Sequence, residues 1–286
     1  MNISELIAFQ RAEFDAAERW RLLMAGCEIL LLFLAIVSVF VSPIEQVVII
    51  ALISFVIGAA WAWFHCKYRD SRDVAERARR ATLVMEGYDK EVSAAELTDI
   101  KGRFTASMAE AAKKIDKHYY KSDAEPGSAR LAELLEESSF FSMHLQRVSS
   151  RWSWYFFVIA LLGSLVSLVV AAVILEKNAI LNSFRIFLLI TSFLVTGRAF
   201  RLAMQYTSSA RALERIHARL AEARARGYPR PDLFLLLSDY NAVTEAASLH
   251  LPFAYDLNKD RLNKDWADFR NNQPKSAAKP PRIRGL

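Results

Sequence analysis

Hydrophobic positions in this chain follow two different patterns. They close into four unbroken runs at about 22–41, 47–64, 154–175 and 180–197, and elsewhere they recur at helical spacing among charged residues. Crossing a bilayer as a helix takes about 20 apolar residues at ~1.5 Å each. The third run has 22 uncharged residues and the second has 18, too long for most soluble cores. The first run contains Glu28 and the fourth Arg185. The pattern therefore predicts an all-α membrane protein, with four transmembrane helices in two hairpins and a helical domain outside them.

Five regions follow from this. Residues 1–64 hold an N-terminal helix and the first hairpin, 65–153 a helical insert, and 154–197 the second hairpin. Residues 198–270 hold the C-terminal helices, and 271–286 form a basic, Pro-containing tail whose composition predicts disorder. In the insert, the second span continues as YRDSRDVAERARRATLVM. A second helix opens on a capping box of Ser93 and Glu96. Its apolar face, from Leu97 and Ile100 through Phe104, Met108, Ala111 and Ile115 to Tyr119, predicts one continuous helix. A third begins near Ser128 and runs towards Trp152. Between them Pro126-Gly127 breaks the helix, through a missing N–H and backbone freedom.

Beyond the fourth span, Leu202, Tyr206, Ser209, Leu213, Ile216, Leu220 and Ala223 keep a seven-residue spacing of coiled-coil type. Gly227 and Tyr-Pro-Arg-Pro end that helix. A further helix over PDLFLLLSDYNAVTEAASLH leads to a last one in LPFAYDLNKDRLNKDWADFR.

Charge gives the pattern an orientation. Of 37 Lys and Arg residues, 35 fall on one side of the four spans, which the positive-inside rule assigns to the cytoplasm. Trp61, Trp63, Trp152 and Trp154 stand at the same ends, where amphipathic rings settle. The expected arrangement is multi-pass, with both termini cytoplasmic. Four acidic residues (Glu5, Glu13, Asp15, Glu18) precede the first run and argue against a signal peptide. The near absence of outward residues argues against a receptor, and four spans leave little room for a secondary transporter.

Chemistry adds little. The histidines at 65, 118, 144, 217 and 250 are scattered, with no HExxH, CxxC, GxGxxG or Walker loop, and Cys27 and Cys66 have no metal-site spacing. No enzyme, metal or cofactor is expected. Intramembrane charges are costly and face a bundle interior or water. Glu28 stands at a depth where Arg198 can pair with it, and Arg185 is expected to snorkel outward.

Two stretches, YYKSDAEPGSARLAELLEESSFFSMHL (119–145) and YPRPDLFLLLSDYNAVTEAASLHLPFAYDLNKDRLNKDW (228–266), resemble the SMODS-associated four-transmembrane effectors of bacterial cyclic-oligonucleotide anti-phage systems. Before the third span those proteins carry a Gln-Arg-Asn-type motif followed by Trp-Asp. This chain reads HLQRVSSRWSW there and keeps only Gln146-Arg147 and a Trp. The resemblance implies a cytoplasmic helical sensor for a cyclic oligonucleotide made by a partner nucleotidyltransferase. It further implies a location in the bacterial inner membrane, homo-oligomerisation on activation and permeabilisation of the membrane lipid, with no DNA or RNA polymer as partner. Tyr119, Tyr120, Lys121 and Arg130 suit such a ligand, since aromatic faces stack bases and cations meet phosphates. Arg147, Arg151, Tyr255, Arg261 and Trp266 are further candidates. The competing expectation is a non-catalytic membrane scaffold that recruits a soluble partner through the 206–223 stripe and the 254–270 helix.

Overall fold

The computed structural model describes residues 1–115, 122, 124–174, 177–252 and 254–272. The described residues are all-helical, and four of the helices are long and apolar enough to cross a membrane. In chain order the helices are α1 (Ile3–Ser38), α2 (Ile44–Tyr88), α3 (Ala94–Arg103), α4 (Met108–Ala112), α5 (Ser128–Ile174), α6 (Lys177–Thr196), α7 (Arg198–Ala225), α8 (Arg230–Ala246) and α9 (Ala254–Asn271). The apolar stretches lie in α1, α2, α5 and the α6–α7 rod. No more than 11% of any of these apolar stretches is buried within the chain, as expected of helices whose solvent is lipid.

Polar ends of the long helices gather at one end of the molecule. There α2, α5, α7 and α8 share a core of Leu83, Leu131, Leu134, Leu135, Leu213, Ile216, Leu220, Leu233, Leu236 and Tyr240. Each fully buried leucine contributes about 1.5–3 kcal/mol relative to exposure, so this core is the main thermodynamic anchor of the polar domain. A second cluster joins α1 to α2 and α3 through Leu6, Ala78, Met85 and Ile100. The crossing of α2 and α5 is close at Gly87, where an added Cβ would come within 2.8 Å of the Leu131 Cβ. The turn before α5 is tied there as well, because Gly127 N donates to Gly87 O at 2.8 Å.

Two sequence expectations change. The helix expected from Ser93 to Tyr119 is broken: α3 ends at Arg103, Phe104 is extended, and α4 restarts at Met108. Glu13 of α1 causes the break. Its buried carboxylate accepts the backbone N–H groups of Thr105 and Ala106, the latter at 2.6 Å, and the Thr105 hydroxyl at 2.8 Å. A Ser107–Glu110 capping box then reopens the helix. Met108, expected on the apolar face, is 78% exposed.

The heptad-like stripe of α7 is a seam within the chain. Tyr206, Ser209, Leu213, Ile216, Leu220 and Ala223 are all buried, with α5 as the principal partner helix. Glu136 and Arg224 form an ion pair across this seam, and Arg224 Nε donates to the Tyr228 hydroxyl at 2.8 Å. The stripe is therefore already covered.

Candidate functional site: a strap beneath the apolar helices

Helix α8 stops at Ala246, and residues 247–252 cross to α9 without regular structure. Backbone polar groups left off a helix must find partners elsewhere, and here side chains of all four long rods supply them. From α1, Arg21 donates Nη2 to His250 O at 2.6 Å and Nη1 to Leu249 O. From α2, Arg72 reaches Glu245 O at 2.8 Å, Thr244 O at 3.2 Å and Ala247 O. From α5, Gln146 Nε2 donates to Ser248 O at 2.8 Å, and Ser149 Oγ accepts Leu251 N at 2.9 Å. From α7, Tyr206 donates to Leu249 O at 2.8 Å, and Gln205 Oε1 accepts the Ser248 hydroxyl at 2.7 Å.

The electrostatics suit the arrangement. Arg72 stands at the C-terminus of α8, where orphan carbonyls and the negative end of the helix dipole favour a cation. Arg21 is buried, with its charge spread over two carbonyls and Glu18 at 3.8 Å. Burial pushes the Tyr206 hydroxyl above its ordinary range, against the opposing pull of Arg21, so it stays protonated and serves as a donor. Beside the strap, Arg79 packs 5.2 Å from the Tyr240 ring centre and pairs with Glu76 at 2.5 Å. Burial raises the Glu76 carboxyl pKa despite the lowering effect of Arg79 and Arg72.

A run of side chains along α2 links the strap to the apolar region. Arg72 Nη1 donates to the Tyr68 hydroxyl at 3.0 Å, and the Tyr68 ring lies 6.5 Å from that of His65. His65 stacks on Trp61 at 5.3 Å and 4°. Trp61 Nε1 then donates to Glu28 at 3.0 Å, and Glu28 pairs with Arg198 at 3.4 Å. The Glu28–Arg198 pairing that their depth suggested is thus present. It joins α1 to the start of α7, where the α6–α7 rod kinks at Gly197. The Gly197 N–H bonds Phe193 O at 3.1 Å, and an added Cβ would strike that carbonyl. Arg185 is exposed, 3.5 Å from Asn182 Oδ1.

Among the described residues, those expected to hold a ligand are not gathered in one place. Tyr119, Tyr120 and Lys121 lie outside the described residues. Arg130, at the end of the molecule remote from the spans, is paired with Glu86. Arg147 and Arg151 stand on α5 about 26 and about 32 Å from it by helical rise. Arg147 pairs with Glu214 at 3.2 Å, and Arg151 is exposed. Trp266 is buried in an aromatic cluster with Phe140, Phe141 and Phe269. Tyr255 is 39% exposed, and Arg261 donates to Asn258 on its own helix at 2.8 Å. Among the described residues there is no metal-ligating group of three or more.

Sequence reasoning missed Arg21, Arg72, Ser149, Gln205 and the strap itself. Their partners are 43 to 229 positions away, and backbone carbonyls leave no mark in side-chain spacing. No family model, curated protein or solved structure matches the chain.

Proposed function

We propose that the chain is a ligand-controlled membrane effector. Its four apolar helices span the inner membrane, its polar end lies in the cytoplasm, and a cyclic oligonucleotide arriving there drives self-assembly and permeabilisation. The observation that carries this reading is the strap. One short segment of the polar domain is fastened to the rods bearing all four apolar stretches, so a rearrangement of α8 or α9 is felt by each of them. The ligand class comes from the resemblance at 119–145 and 228–266, with Arg130 and the adjoining Tyr119–Lys121 as expected contacts. The Arg130 guanidinium is part-buried in its pair with Glu86, and guanidiniums of this kind meet phosphate with two donors at once. The reading involves no catalysis. A scaffold recruiting through the 206–223 stripe has less support, because the stripe is buried in the α5–α7 seam.

The test is membrane potential, read with a voltage-sensitive dye in cells carrying the protein with and without an active partner cyclase. Depolarisation that needs both is the expected result. Persistent polarisation, with binding of the nucleotide to the purified protein demonstrated, would rule the reading out.

A further inference from the structure

Most arginines of the polar domain have acidic partners: Arg77 with Asp99, Arg80 with Glu245, Arg130 with Glu86, Arg219 with Asp239 and Arg224 with Glu136. The groove between α5 and α7, next to the apolar region, is different. Ser150 and Thr207 hydroxyls meet at 2.7 Å, and Arg147 meets Glu214 at 3.2 Å, which sets one face of α5 against one face of α7. Helical spacing puts Arg151 on the Arg147 face and Arg211 between Thr207 and Glu214 on the opposing face. Arg151 and Arg211 are exposed, and among the described residues neither has an ion pair. The groove thus holds three guanidiniums against one carboxylate. That carboxylate sits in a half-exposed pair, of a kind worth little in water.

Depth identifies what the groove meets. Arg151 precedes Trp154 by three residues, about 4.5 Å of helix, and Trp154 Nε1 is fixed to Thr207 Oγ1 at 3.1 Å. Trp152 and Tyr155, at 62% and 56% exposure, flank Arg151 with rings of the kind that settle at a bilayer surface. One turn further on, Phe156 and Ile159 are exposed at 63% and 70%, in the register of acyl chains. Guanidiniums bind phosphate with two donors at once, and at this depth the phosphates at hand are lipid headgroups.

We propose that Arg147, Arg151 and Arg211 form a headgroup site for an anionic phospholipid at the membrane surface next to the polar domain. The site rests on the reading that the apolar helices span a bilayer. It assigns Arg147 and Arg151 to lipid, whereas the resemblance assigns them to a soluble nucleotide. Occupation replaces the weak Glu214 contact by lipid phosphate and clamps α5 to α7 just outside the bilayer.

The test uses the full chain in vesicles of phosphatidylcholine alone or mixed with labelled phosphatidylglycerol, followed by detergent extraction and measurement of label retained per protein. Wild type is expected to retain phosphatidylglycerol in preference to phosphatidylcholine. Arg151→Gln with Arg211→Gln should lower that preference by about thirtyfold, at ~1 kcal/mol per cation near a charged surface. Lys90→Gln with Lys101→Gln removes the same charge from exposed positions remote from the groove and should leave the preference unchanged. Equal retention by wild type and the arginine double variant overturns the proposal. So does binding of soluble pyrophosphate at these arginines with no preference between lipids, which assigns the groove to a soluble ligand. Alkaline carbonate washing separates the two readings. Release of the protein from membranes means the spanning reading has failed, whereas a retained protein without lipid preference means only this site has.

Discussion

Arg21 shows how much one residue carries at the strap. A buried guanidinium is tolerable only when its donors are used, and those of Arg21 reach Leu249 O and His250 O. Leu249 O has a second donor in Tyr206, whereas among the described residues Arg21 alone donates to His250 O. Arg21→Ala is therefore expected to lower stability in detergent by about 1–3 kcal/mol, the cost of an orphaned buried acceptor. Lysine keeps the charge but not the fork, so Arg21→Lys should fall between alanine and wild type. Thermal melting of the three proteins checks the order, and a lysine variant as stable as wild type would show that the charge alone matters. At this scale the sequence was partly legible. Their depth made a pairing of Glu28 with Arg198 possible, since intramembrane charges are costly, but left open a Glu28 at headgroup level; the structure shows the pair. Arg21, by contrast, looks like any interfacial arginine, because its partners are carbonyls more than two hundred residues away.

Among the elements, α9 is the most lightly fastened of the longer helices. Its Trp266 and Phe269 rings pack on Phe140, and Phe269 lies 5.1 Å from His217 of α7. His217 Nδ1 is 3.2 Å from Ser139 Oγ, and its pKa is lowered first by burial and then by His144, the one titratable neighbour contributing to the shift. A base whose pKa falls on folding is held neutral in the folded state. The stability it contributes is present above the ordinary imidazole value of 6.5 and is lost as pH falls below it. Acidification from about pH 7.5 to about pH 5.5 should therefore loosen α9, and His217→Gln should blunt that response. Limited proteolysis at the α8–α9 junction measures it, and identical pH profiles for the two proteins would contradict it. Element boundaries were legible wherever local chemistry sets them. The onset of α5 at Ser128 follows the Pro126-Gly127 break, and α7 ends just before Gly227, whose φ is +76°. The break at 104–107 had a local signal too, the Ser107–Glu110 box, but the apolar periodicity across it masked the cap until Glu13 was seen taking the backbone N–H groups.

Across the whole molecule, two apolar hairpins leave a polar domain at one end, and the strap is the place where that domain grips every rod. The four runs made the apolar architecture legible, since each became a helix long and apolar enough to cross a membrane and little covered by the rest of the chain. The α7 stripe was legible as an interface but not as to its partner, because heptad spacing is the same within a chain as between chains. The strap, which the proposed function makes the route of the signal, is a tertiary arrangement that no local pattern announces. If the strap holds the rods in the resting arrangement, freezing it should freeze the protein. Gln205 and Ser248 place their side-chain ends 2.7 Å apart across the α7–strap contact, and both natural cysteines are free thiols that can be replaced by serine. The decisive measurement is dye efflux from proteoliposomes containing Gln205→Cys with Ser248→Cys in that background, challenged with the product of the partner cyclase. Efflux that is blocked by oxidation and restored by reductant is the predicted result. Efflux of equal size with the disulfide formed and broken would contradict the account, because the strap would then be a passive linker.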